Sequence, residues 1–181
     1  MFAIFFAQNV LLLKPSSKMN IVLQTHKVEE QGLPSTEGIG RFFTSKNWIE
    51  KPENWGTVVL VTTGTFKTYR QAGFKKDLPV VTLATKRIYF LWEKFEIEQV
   101  QRCSDGQFEA TGSKHHQIFT PPILLNDTSG FDEFCKRYMT SGLINLAKKS
   151  PPYLQFLLKF SGEASTKQPQ SQLLKLIPAN H

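Results

Sequence analysis

The chain is poor in the patterns that announce a known chemistry. It has two cysteines in 181 residues, Cys103 and Cys135, far apart and without a cysteine or histidine neighbour at metal-ligand spacing. Neither a disulfide framework nor a zinc site is implied, and the chain reads as reduced and intracellular unless the two thiols meet in space. A phosphate-cradling glycine loop is missing as well. In EGIGR, Gly38-Ile39-Gly40 has no Lys-Ser/Thr behind it and no clear strand-to-helix junction around it. The N-terminal MFAIFFAQNVLLL is uncharged for thirteen residues before Lys14, whereas a membrane span needs about 20. A signal peptide would carry positive charge ahead of the apolar run and small residues behind it, and neither is clear. The stretch is read as a buried strand or helix, an interfacial anchor, or an extension ahead of folding that begins near Met19.

Acidic residues are also scarce, most of all toward the C-terminus. The net charge is +7. From Phe134 onward, Lys136, Arg137, Lys148, Lys149, Lys159, Lys167 and Lys175 face only Glu163, so this part carries six of the seven net charges. Such a surface attracts polyanions, nucleic acid or acidic lipid, although a solvated basic face accounts for it equally well.

Short β-rich runs are plentiful. After a strand expected at 21–25, the segment 29–54 carries Gly, Pro, Ser and charge without periodicity and reads as an irregular lead-in, with Phe42, Phe43, Trp48 and Ile49 apolar enough to dock on a core. Strands are then expected at 57–63, 66–72, 78–84, 87–92, 95–102, 107–111 and 116–119, separated by polar breaks. About seven strands with no room for crossover helices predict an antiparallel meander, either a barrel or a sandwich. Pro121-Pro122 is expected to close the β region. Ser129-Gly130-Phe131-Asp132 has the form of a helix start, and Phe131, Phe134, Cys135, Tyr138, Met139, Leu143 and Leu146 follow at three-and-four spacing. Pro151-Pro152 opens a second helix, with Tyr153, Phe156, Leu157 and Phe160 on one face. The fold class is therefore α+β. The lead-in takes 1–54, the principal domain 55–148, and a basic helical extension and tail 149–181.

Within the central stretch, Leu83 and Thr85 end a strand, Lys86-Arg87 form a turn, Ile88 to Trp92 continue as an apolar strand, and Glu93-Lys94 precede Glu96-Ile97 and Val100. Together with FDEFCKRYM at 131–139, this order resembles the pleckstrin-homology-like fold, in particular its GRAM and bacterial PH branches, over roughly residues 55–148. The resemblance implies a meander closed by the helix that starts at Phe131. It also implies an open end whose first hairpins carry basic residues able to meet acidic headgroups. Here those are Lys67, Arg70, Lys75, Lys76, Lys86 and Arg87. At about 1 kcal/mol per cation near an anionic surface, they would supply weak, salt-sensitive association. As turn residues kept polar for solubility, they would supply nothing.

Other groups are weaker pointers. His115 and His116 with Cys103 would need a thiol and an imidazole within about 3 Å of each other, and adjacent strand residues face opposite sides. Glu93, Glu96 and Glu98 read as a solvated strand face. Trp48, Trp55, Phe66, Tyr69, Tyr89, Phe90 and Trp92 could stack on bases only if they were exposed. The expectation is thus a cytoplasmic binding module without catalytic residues, metal or cofactor. It would be peripheral at a membrane and dock to acidic lipid headgroups or to a protein partner. A basic nucleic-acid-binding β-protein is the alternative.

Overall fold

The computed structural model describes residues 20–35, 38–74, 87–146 and 152–159. Among them, eight strands form two sheets, accompanied by a few short helices, so the chain is mixed α+β. The five-stranded sheet has the order β7-β4-β3-β1-β8. It is built from β1 (Ile21–Lys27), β3 (Thr57–Gly64), β4 (Ile88–Glu96), β7 (Gln117–Leu124) and β8 (Leu143–Asn145). The three-stranded sheet has the order β2-β6-β5, with β2 at Gly40–Thr44, β5 at Gln99–Arg102 and β6 at Phe108–Gly112.

This corrects the expected meander. β1 pairs with β3 in parallel, from Ile21 opposite Thr57 to Lys27 opposite Thr63, while the remaining strand pairs are antiparallel. A parallel pair needs a long connection. Here it is made of helix α1 (Val28–Gln31), β2 and 3₁₀ turns at Asn47–Glu50 and Pro52–Asn54, so the segment read as irregular supplies a strand to the three-stranded sheet. The sheets stay separate and do not close into a barrel.

β3 is buried nearly end to end, as a central strand covered on both faces must be, and its run TVVLVTTG is accordingly apolar or small throughout. On one side Val58 and Leu60 join Val22, Phe90, Trp92 and Phe95 beneath the three-stranded sheet. On the other, Val59 and Val61 join Ile21, Leu23 and Leu91 beneath helices α3 (Phe131–Tyr138) and α4 (Pro152–Lys159), which supply Phe131, Phe134, Tyr138, Tyr153 and Leu157. The helix starting at Phe131 forms as expected. It lies over a sheet face instead of capping a barrel, and it ends at Tyr138, so that Leu143 belongs to β8.

Two further expectations are corrected. Residues 66–72 were expected as a strand, but helix α2 occupies Phe66–Gln71, started by Thr65, whose hydroxyl accepts the Thr68 amide at 3.2 Å. Phe66, Thr68 and Tyr69 are residues of strand-forming type, yet only Tyr69 turns inward and Phe66 stays exposed. β7 continues through Pro121-Pro122, which it can do because β7 is an edge of its sheet. The strand expected at 78–84 lies outside the described residues.

Candidate functional site

Of the six basic residues expected to bind anions, the described residues include Lys67, Arg70 and Arg87, while Lys75, Lys76 and Lys86 lie outside them. Lys67 and Arg70 stand exposed on α2. The helix is anchored from below by Tyr69, whose hydroxyl is 2.8 Å from Thr62 Oγ1. Arg70 stacks its guanidinium 5.3 Å from the centre of the Phe66 ring and donates to the Phe74 carbonyl at 3.3 Å. Phe66 itself is 39% exposed, as is Phe43 on β2 at 42%.

Arg87 is committed elsewhere. Its Nη2 lies 3.0 Å from Glu29 Oε2 and its Nε donates to Thr63 Oγ1 at 2.9 Å. Burial pulls the Glu29 carboxyl up, but hydrogen bonds from its own amide and from Arg87, together with the guanidinium charge, outweigh that and leave it below its ordinary value. Glu29 thus offsets one of the positive charges that the sequence assigned to an anion.

The second set of groups was seen in the sequence as two unrelated patches, and the fold joins them. The turn Ser113-Lys114-His115-His116, between β6 and β7, is held by Glu93, Glu96 and Glu98. Glu98 Oε2 accepts the Ser113 amide at 2.6 Å, its hydroxyl at 2.8 Å and the Lys114 amide at 3.2 Å. Glu96 takes the exposed His115 Nδ1 at 2.7 Å and Lys114 Nζ at 3.1 Å. Hydrogen bonds from His115 and Lys114 hold the Glu96 carboxyl below its ordinary value.

Glu93 is different in kind. Its side chain is 4% exposed, that of His116 is 12%, and His116 Nε2 lies 2.9 Å from Glu93 Oε2. Burial pushes the Glu93 carboxyl up, against the hydrogen bond and charge of His116 and a hydrogen bond from the Arg41 backbone amide. The expected solvated face therefore holds a buried carboxylate. The reason is a β-bulge: β3 pairs Leu60 with Glu93 and Val61 with Leu91, so Trp92 is the extra residue. Trp92 and Glu93 both turn toward the three-stranded sheet. Alternation carried forward from Ile88, Phe90 and Trp92 puts Glu93 on the opposite side. Lys94 then faces the helices. Its Nζ donates to the Leu158 carbonyl at 3.1 Å and lies 5.5 Å from the Phe119 ring centre, and burial lowers its pKa to about 8.

Cys103 closes the β5–β6 hairpin, its amide donating to the Gln107 carbonyl at 2.8 Å, while His115 and His116 go to glutamates. Among the described residues, no group of three or more His, Cys, Asp and Glu could hold a metal ion. Of the aromatics considered for stacking, Tyr69, Phe90 and Trp92 are core, Trp48, Trp55 and Tyr89 are half-buried, and Phe66 is exposed. No described helix is long and apolar enough to cross a membrane. Compared with known families, with characterised proteins and with solved structures, the chain matches none.

Proposed function

We propose that the protein is a non-enzymatic binding module that docks on an acidic lipid surface, at the cytoplasmic face of a membrane, through α2. The observation that carries this reading is the exposed Phe66 ring, stacked by Arg70 and next in sequence to the exposed Lys67, on a helix whose inner side is fixed by Tyr69. An aromatic ring flanked by cations suits the boundary between headgroups and acyl chains. The ring enters the apolar layer while the cations meet phosphate, each adding about 1 kcal/mol. Lys75 and Lys76 follow α2 closely in sequence and belong to the same proposal.

The nucleic-acid alternative is less well supported, since it needs several exposed ring faces beside the cations and most of the aromatic residues considered are at least half-buried. The resemblance to pleckstrin-homology-like domains is kept as a proposal for how the sheets and α3 are organised. Two sheets and a helix beginning at Phe131 are what it shares with the chain, although α3 lies over a sheet face and does not cap a barrel. The parallel β1–β3 pair departs from that plan, so the docking proposal rests on the α2 surface.

Co-sedimentation with vesicles of neutral lipid, alone and mixed with phosphatidylserine, tests it. Binding should require the acidic lipid, weaken with added salt, and fall in both Phe66→Ala and the double variant Lys67→Glu, Arg70→Glu. Absence of binding at low salt sinks the lipid reading and leaves a protein partner. Binding that survives the double variant unchanged means that α2 is not the contact.

A further inference from the structure

We propose that the Glu93–His116 pair is a proton-dependent lock between the two sheets, closed while the pair holds one proton and loosened when it takes up a second. Three segments meet at the Glu93 carboxyl. β4 carries it, the turn between β6 and β7 brings His116 Nε2 to 2.9 Å, and β2 offers the Arg41 backbone amide. The carboxyl therefore ties the five-stranded sheet to the edge strand of its neighbour. The Phe95 ring, 6.1 Å from that of His116 at an edge-on angle, covers the pair.

The charge on this pair depends on its proton count and not on which atom holds the proton. With one proton it is neutral overall, either as carboxylate and imidazolium or as carboxylic acid and imidazole. With two it is a buried cation, and with none a buried anion, each without a compensating partner. The surrounding charged groups are engaged elsewhere. The Arg41 guanidinium lies 2.8 Å from Glu109. Lys94 sits on the other face of β4 against the Leu158 carbonyl. Lys114 and His115 hold Glu96. A second proton removes the negative charge that strengthens both the His116 and the Arg41 hydrogen bonds. β2 and the turn that carries His116 then lose this tie to β4, while β1, β3, β4 and β7 keep their own backbone ladders.

The test is amide hydrogen exchange on the full chain, corrected for intrinsic rates, between about pH 7 and pH 5. The Arg41 and His116 amides should lose protection by up to about tenfold per pH unit below the midpoint, the slope for opening linked to one proton. Val59 and Leu60 should keep theirs. Glu93→Gln should abolish the acid-dependent loss, and His115→Gln should leave it unchanged. Equal loss of protection across both sheets, or a loss that persists in Glu93→Gln, overturns the proposal. Should Glu93→Gln not fold, the wild-type Glu93 carboxyl carbon shift, followed by NMR, must titrate with the same midpoint as the Arg41 protection, and a different midpoint overturns it equally.

Discussion

Gly40 on β2 and Gly112 on β6 are paired directly across the three-stranded sheet, and both lie where that sheet closes onto β4. A Cβ at Gly112 would overlap the Glu96 carbonyl oxygen. One at Gly40 would run into the Phe95 ring and sit 2.8 Å from the Phe95 Cβ. The obstacle at Gly112 is backbone, which cannot rotate away. Gly112→Ala should therefore destabilise the protein by about 1–3 kcal/mol in urea unfolding. Gly142→Ala, where a Cβ meets nothing within 4 Å, should stay within about 0.5 kcal/mol of wild type. Equal effects of the two variants would refute this account of the inter-sheet contact.

Lys94 makes stability depend on alkaline pH, and the sign follows from its lowered pKa. An unfolded lysine titrates near 10.5, and burial brings Lys94 to about 8. Below pH 8 it is charged in both states and the cost of burying it is fully present. Between about 8 and 10.5 the unfolded chain binds the proton that the folded chain has released, so this group makes the fold more stable as pH rises. Subtracting the urea stability of Lys94→Met from that of wild type isolates the effect from the other titrating groups. The difference should grow in favour of wild type across that window. A flat difference would mean that Lys94 is not held in an apolar setting.

The strands legible in the sequence were those whose neighbours do not alter their pattern. β3 was expected over 57–63 and runs one residue further, and β1 and β6 lie where their apolar residues placed them. What could not be read was pairing and irregularity. Nothing in Ile21 to Thr25 says that its partner is β3 in parallel, because a parallel neighbour far along the chain leaves no local turn signal. The bulge at Trp92 reverses the side on which Glu93 lies, and with it the reading of EKFEIE from solvated face to inter-sheet junction. Helix α2 was missed because Tyr69 alone fixes it to the core, one contact being too little to leave a periodic mark. In the candidate docking surface Lys67 and Arg70 were named from sequence. The exposure of Phe66 was not, since aromatic residues near cations are more often core.

Tyr69 is what holds α2 in place. Besides filling the core, its hydroxyl is 2.8 Å from Thr62 Oγ1 and donates to the Ile88 carbonyl at 3.4 Å. Tyr69→Phe keeps the ring and leaves the buried Thr62 hydroxyl one partner short, a loss of about 1 kcal/mol. Tyr69→Ala removes the ring as well and should cost about 3–5 kcal/mol, as for other buried aromatics. Urea unfolding measures both. A cost for Tyr69→Phe as large as that for Tyr69→Ala would place the contribution in the hydroxyl and not in the packing of the ring.

Glu29 sets how much of the positive charge reaches an anionic surface. Its carboxylate neutralises Arg87 at 3.0 Å and receives the Thr68 hydroxyl at 3.5 Å, beside the helix that carries Lys67 and Arg70. Glu29→Gln keeps the size of the side chain and frees the Arg87 charge. If α2 docks on acidic lipid, this variant should bind phosphatidylserine vesicles more tightly than wild type, by up to about 1 kcal/mol or roughly fivefold, with a steeper loss on adding salt. The pair is partly exposed, so unfolding stability should fall by no more than about 1 kcal/mol. Adding Arg87→Gln should return binding to the wild-type level, since the charge released by the first change is then removed by the second. Tighter binding that persists in the double variant would show that Glu29 acts by repelling the lipid directly and not by masking Arg87.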